Sequence, residues 1–198
     1  MGIKLEKLTA ETPMLIYESR IYEKFKNTPG FPHIYWSGVE GEYSVMVMEI
    51  LGPSLNALFE FCNNKFETKT IFWMAIQMIT RIEAMHAQDY IHRDIKPENF
   101  LVGHHNKKNE MVYIIDFGLS KRYRCPKSGN HIERNKKQGV TGTPRYCSLN
   151  AHCSYEQSRR DDLESIGLIL IYFLKEGWLP WMKGEGKDGS KKKQLQFK

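Results

Sequence analysis

Apolar positions along the chain change period several times, and each change marks an element. From Leu15 the residues Leu15, Glu18, Ile21, Tyr22 and Phe25 return to one face at helical spacing. Thr12-Pro13 ahead of them reads as a helix start, with Thr12 as cap and Pro13 as first helical residue, and Thr28-Pro29-Gly30 reads as the stop. Two short strands follow, at His33–Val39 and Tyr43–Glu49, joined by a tight turn at Glu40-Gly41-Glu42. Gly52-Pro53-Ser54 opens a short helix over Leu55–Cys62. A long amphipathic helix is predicted from Thr68 through Ala87, with Ile71, Ala75, Met78, Ile79, Ile82 and Met85 as its buried stripe. Val112–Ile115 is a short apolar run of strand type. Arg159–Leu174 is predicted as a helix that is apolar almost all round after Leu163, which places it deep in a core.

Between those last two elements, residues 117–150 show little period and frequent Gly and Pro. This stretch carries eight Lys or Arg against the single acid Glu133, a local charge of +7 in a chain whose net charge is +6. The tail 183–198 adds +4, so the remaining residues sum to −5. A basic segment on a mildly acidic body points to an anionic ligand or partner. Nucleic acid is not the favoured partner, because no motif that reads bases accompanies the charge. At 41% hydrophobic and 26% charged residues, the composition is that of an ordinary globular protein. The longest apolar stretch, Ile166 to Leu174, is nine residues, far below the roughly 20 that cross a bilayer. Cys62, Cys125, Cys147 and Cys153 form no C-x-x-C pair, and His152-Cys153 lacks a second pair with which to hold a metal. Reduced thiols and a cytoplasmic or nuclear location are expected.

The chemistry is concentrated in His92-Arg93-Asp94-Ile95-Lys96-Pro97-Glu98-Asn99, followed 17 residues after Asn99 by Asp116-Phe117-Gly118. Asp-Phe-Gly alone is a weak signal. Behind H-R-D-x-K-x-x-N at this interval it matches the protein kinase signature. Phosphoryl transfer gathers negative charge around one phosphorus, so residues must position and neutralise it. Asp94 suits the orientation and deprotonation of an acceptor hydroxyl, and Lys96 suits contact with the moving phosphoryl group. Asn99 and Asp116 offer oxygen ligands to Mg²⁺.

Three further strings carry a closer resemblance. Val45-Met46-Val47-Met48-Glu49-Ile50-Leu51-Gly52-Pro53-Ser54-Leu55 resembles the hinge of casein kinase 1, Gln157-Ser158-Arg159-Arg160-Asp161-Asp162-Leu163-Glu164-Ser165 resembles a string particular to that family, and Ser148-Leu149-Asn150 is similar to its S-I-N. The resemblance covers Ile3 to about Trp181. It implies an α+β, kinase-like two-lobed fold: a partial N-lobe with a reduced sheet over residues 1–51, a mainly helical partial C-lobe over 52–182, and a Lys/Gly-rich tail over 183–198. It further implies that Lys4 meets the ATP α- and β-phosphates and that Glu18 holds Lys4. Met48 would gate the adenine pocket, Glu49 and Leu51 would bond adenine through their backbone, and Leu101 and Ile115 would floor and back the pocket. Asp162 would brace the catalytic loop. Arg145, in Thr141-Gly142-Thr143-Pro144-Arg145-Tyr146, matches a family arginine that binds an anion near the acceptor site, with one of Lys191–Lys193 as a candidate helper.

The implied activity is Mg-ATP-dependent phosphorylation of Ser or Thr in proteins with acidic or phosphorylated residues before the target, by a monomer. The chain departs from the family pattern in places. It begins three residues before Lys4, without the Gly-rich loop, and after Trp181 the family's further helices are not recognisable, so a chain cut short at both ends is expected. The Gly184-Glu185-Gly186-Lys187-Asp188-Gly189 string follows no strand and reads as a decoy. Asn56-Ala57 stands where the family has acidic residues near the ribose. A second reading therefore accompanies the first: a catalytically inactive fragment or pseudokinase acting only as a binding module.

Overall fold

The computed structural model describes residues 1–104, 110–136 and 139–182; Lys137, the candidate lysines Lys191–Lys193 and the glycine string at 184–189 lie outside them. Strand β1 (Gly2–Lys7), helix α1 (Leu15–Lys24), and strands β2 (Ile34–Glu40) and β3 (Tyr43–Met48) come first. The three strands form one antiparallel sheet in the order β1-β3-β2. Gly41, at φ 56°, makes the β2–β3 turn. Strand alternation puts Lys4 opposite Met46 and Glu6 opposite Ser44 on the sheet's inner face, where Met46 and Ser44 are buried. Helix α1 supplies Leu15, Glu18, Ile21, Tyr22 and the following Phe25 to the core, the face its period predicts.

The start of α1 differs from expectation. Neither Thr12 nor Pro13 is helical; the cap position is Met14, whose side chain bonds nothing there, and the helix begins at Leu15. The Glu6 carboxylate fills the gap, accepting from the Met14 amide at 2.9 and 3.0 Å and from the Leu15 amide at 2.9 Å. A carboxylate satisfies unpaired amides and the positive helix end together, which a threonine hydroxyl does less well. The helix also ends early, at Lys24 rather than beside Pro29.

The rest is mainly helical, with α2 (Leu55–Phe61), α3 (Thr68–Ala87), α4 (Leu149–His152) and α5 (Arg159–Leu174). Short two-stranded pairs join β4 (Tyr90–Ile91) to β7 (Lys121–Arg122), and β5 (Phe100–Val102) to β6 (Val112–Ile114). Ser54 caps α2 by accepting from the Ala57 amide, and Ser158 with Asp161 forms a capping box on α5. Helices α3 and α5 pack through Ile71, Met74, Met78, Ile82 and Met85 against Ile166, Ile169 and Phe173.

Two burial expectations fail. Ile79 is exposed, although period placed it in the α3 stripe, and α5 leaves Leu163, Ile171 and Leu174 open on its outer side. An apolar side chain marks a face as able to pack; whether a partner covers it depends on neighbours elsewhere. Between α1 and β2, Gly30 at φ 81° lets Arg81 of α3 pass so close that a Cβ there would lie 2.0 Å from Nε. The guanidinium donates to the Pro29 carbonyl at 2.9 Å and to the Val112 carbonyl at 3.0 Å, which ties the α1 exit to the helical part. No described helix is long and apolar enough to cross a membrane.

Candidate functional site

The loop after β4 holds the H-R-D string and is fixed from below. Asp162, buried in the first turn of α5, accepts from the His92 amide at 2.9 Å and the Arg93 amide at 3.0 Å, and its Oδ2 lies 2.9 Å from His86 Nε2. The His92 ring lies beneath the loop. Its Nδ1 accepts from the Asp94 amide, so Nε2 carries the proton and donates to the Ile115 carbonyl at 3.0 Å. Arg93 and Asp116 both sit at positive φ, 70° and 68°, a conformation that costs a non-glycine residue about 1 kcal/mol and is retained where surroundings enforce it.

Asp94 stands at the centre of this loop. Lys96 Nζ is 2.6 Å from its Oδ2, the Thr143 hydroxyl donates to Oδ1 at 2.7 Å, and Asn99 Nδ2 donates to its backbone carbonyl at 2.9 Å. Burial pushes the carboxyl up, but the bonds from Lys96 and Thr143 outweigh it and hold Asp94 below the usual carboxylate range. The Thr141-Gly142-Thr143 segment reaches this close only through glycine, because a Cβ on Gly142, at φ 101°, would lie 2.4 Å from the Arg93 carbonyl. Cys147 donates from Sγ to the Thr141 carbonyl, and burial pushes its thiol up to about 12, which leaves it inert as a nucleophile.

On the sheet side, Lys4 Nζ lies 2.7 Å from Glu18 Oε2 and 3.6 Å from Asp116 Oδ1. Burial alone would lower the Lys4 ammonium, but Glu18 and Asp116 together raise it. Glu18 is pushed up because its burial outweighs the help of Lys4 and of the Phe117 amide. The Asp116 amide donates to the Tyr22 hydroxyl at 3.1 Å. Phe117 is fully buried between the two sides, its ring centroid 4.6 Å from Tyr22 of α1 and 5.5 Å from His92.

Beside Lys4 lies a cavity of about 200 Å³ whose walls include Ile3, Met48, Glu49, Leu51, Leu101 and Ile115. The bonds Gly52 N–H to Val102 carbonyl and Val102 N–H to Pro53 carbonyl hold the segment after β3 against β5, which brings Leu101 to that wall. A larger groove of about 610 Å³ between α3 and the start of α5 shares none of Lys4, Asp94 or Asp116. Volume is therefore a poorer guide here than the charged groups.

Most of the residues singled out by sequence thus gather in two adjoining places: Asp94, Lys96 and Asn99 in one, and Lys4, Glu18, Asp116 and the cavity-lining residues in the other. Arg145 is half-buried. Its charge acts on Tyr146 and Tyr172, and its carbonyl accepts from the Trp181 indole at 2.9 Å. Sequence reading missed Glu6, Tyr22, Gly142 and Thr143. Only Glu6 left a trace, standing two residues from Lys4 and so on the same strand face.

A group with several phosphates fits the residues present, because Lys4 is a cation at the mouth of an apolar slot. Asn99 spends its Nδ2 on Asp94, and its Oδ1 together with Asp116 offers oxygen donors of the kind Mg²⁺ takes. Among the described residues no group of three or more His, Cys, Asp or Glu forms a metal site by itself. The small sheet with one helix, set on a helical body with its charged groups at their junction, is the arrangement of a kinase-like fold. Residues 3–198 match the family model for the protein kinase domain, and the chain belongs to that family.

Proposed function

We propose that this kinase domain transfers the γ-phosphate of Mg-ATP to serine or threonine in proteins that carry acidic or phosphorylated residues before the target. The observation that carries the reading is the Asp94 cluster, an ionised carboxylate flanked by a lysine and a threonine hydroxyl at 2.6 and 2.7 Å. Asp94 accepts the hydrogen bond of the acceptor hydroxyl and then its proton. Lys96, already at Asp94, offsets charge on the group in flight, and its place two residues after Asp94 favours Ser/Thr over Tyr acceptors by resemblance. Lys4, held by Glu18, binds the α- and β-phosphates. Met48, Glu49, Leu51, Leu101 and Ile115 take the adenine, and Asn99 and Asp116 take Mg²⁺. Bound Mg-ATP supplies the phosphoryl group and the charge that neutralises its oxygens. The division of the chain near Leu51 and Gly52, with the nucleotide between the parts, belongs to the same reading.

The casein kinase 1 assignment is supported by contact between two of the strings that carry it. Ser148 Oγ and Asn150 Nδ2 donate to Asp161 Oδ1 at 2.7 and 3.1 Å, so the S-L-N and R-R-D-D strings form one unit. The deciding experiment is a phosphotransfer assay on acidic and phosphoserine-primed peptides with the protein and its Asp94→Asn variant. Turnover should fall by a factor of at least about 10³. Near-normal turnover in the variant removes Asp94 from the reaction, and nucleotide binding without any transfer leaves a binding module instead. Arg145 is assigned to the substrate anion. Arg145→Ala should lower kcat/KM by about 10- to 100-fold for a primed peptide and leave its unphosphorylated twin unchanged. Equal losses on both peptides make Arg145 structural.

A further inference from the structure

We propose that Glu6 is a positioning residue for the Lys4–Glu18 pair, tethering α1 to β1 so that Glu18 stays within reach of the lysine; the proposal deepens the ATP-site reading above and takes its functional meaning from it. Lys4 and Glu6 are successive inward-facing residues of β1, and both address α1. Lys4 reaches Glu18, while Glu6 holds the amides of Met14 and Leu15 just ahead of it. The helix has no side-chain cap of its own at Met14, so its first amides depend on a residue from another element.

The geometry is that of a two-point attachment. With both points made, α1 can neither slide along β1 nor swing about the Lys4–Glu18 contact. Without Glu6, the ion pair is the remaining polar link between these two elements among the described contacts, and Lys4 is nearly half exposed at 45%. A flexible lysine side chain confers little directional control. Displacement of α1 would also carry Tyr22, whose hydroxyl accepts from the Asp116 amide. Glu6 therefore bears on both Lys4 and Asp116 without touching either.

An ordinary helix cap would stabilise α1 and nothing more, so the test must read position rather than stability. Carbodiimide activation joins a carboxylate and an amine only in direct contact, and mass spectrometry of the Lys4–Glu18 amide reports how often the pair is formed. Glu6→Ala should lower that yield at least threefold. Glu6→Asp keeps the charge but is too short to hold the helix from β1, and should behave like the alanine variant. Glu6→Gln retains one acceptor oxygen and should fall between the parent and the alanine variant, which also covers the case of an alanine variant that does not fold. Gln77→Ala serves as a destabilised control, because it removes the bonds to Val112 N–H and the Glu110 carbonyl far from Lys4; its yield should be unchanged. In phosphotransfer assays Glu6→Ala should raise KM for ATP about tenfold. An unchanged amide yield in folded Glu6→Ala, or an equal fall in Gln77→Ala, overturns the tether. The crosslink needs no catalysis, so it decides the matter even if the phosphotransfer reading fails.

Discussion

The two sides of the site are built to different standards. Around Asp94 every group is held by something rigid: Asp162 from α5 fixes the backbone, His92 fixes the loop from below, and Lys96 and Thr143 fix the carboxylate. Around Lys4 the support is sparser: a three-stranded sheet, a ten-residue helix, the ion pairs of Lys4 with Glu18 and Asp116, and the Glu6 bonds. The two carboxylates at the centres respond in opposite ways, Asp94 held below its ordinary range and Glu18 above it. The contrast teaches that one side is specified by the fold and the other by a small number of adjustable contacts. On the proposed function, a site that admits and releases a nucleotide on one side while aiming a base on the other has use for both.

The largest effect is expected where support is densest. Asp162→Ala leaves the His92 and Arg93 amides unpaired in a buried place, and should cost about 3–5 kcal/mol in urea denaturation. A loss below about 1 kcal/mol would mean that the loop holds itself, and the contrast between the two sides would dissolve. A smaller effect is expected at the junction between them. Gly30→Ala places a methyl against Arg81 at positive φ and displaces the bonds to Pro29 and Val112, for about 2–3 kcal/mol. If that variant is as stable as the parent, Arg81 has another resting place and the sides are joined by packing alone.

How far the sequence revealed this arrangement depended on distance along the chain. The α1 face, the β2–β3 turn and the α2 cap are local, and their period and punctuation were enough. The H-R-D and D-F-G strings were legible because each keeps its chemistry within a few consecutive residues. What was missed is non-local: Thr143 meets Asp94 across 49 positions and Tyr22 meets Asp116 across 94. Neither residue type advertises such a role. Thr12-Pro13 was misread for a related reason, since a good local start signal lost to a carboxylate arriving from another strand. Ile79 shows the complementary limit: period identifies a face that can be buried, while only the packing around it decides whether it is.

The smallest effect on stability, and the one that sharpens the contrast most, concerns pH. Asp94 has its folded value below the ordinary 3.8, so the stability it contributes is complete above that value and is lost as pH falls through the folded one. Glu18 has its folded value above the ordinary 4.5, so its contribution is complete below 4.5 and is lost as pH rises through the folded value. Ionising Glu18 in this place is therefore a cost that Lys4 only partly offsets. Replacing it with a neutral side chain of the same shape should change stability by no more than about 1 kcal/mol, in either direction. Glu18→Gln should accordingly unfold at nearly the parent's urea midpoint at pH 7, and its stability should decline less than the parent's between pH 4.5 and 7. Asp94→Asn should do the reverse, leaving that interval alone and flattening the acid limb below pH 4. If Glu18→Gln instead loses more than about 2 kcal/mol at pH 7, the Lys4–Glu18 pair is a structural brace like Asp162, and the two sides of the site are held in the same way.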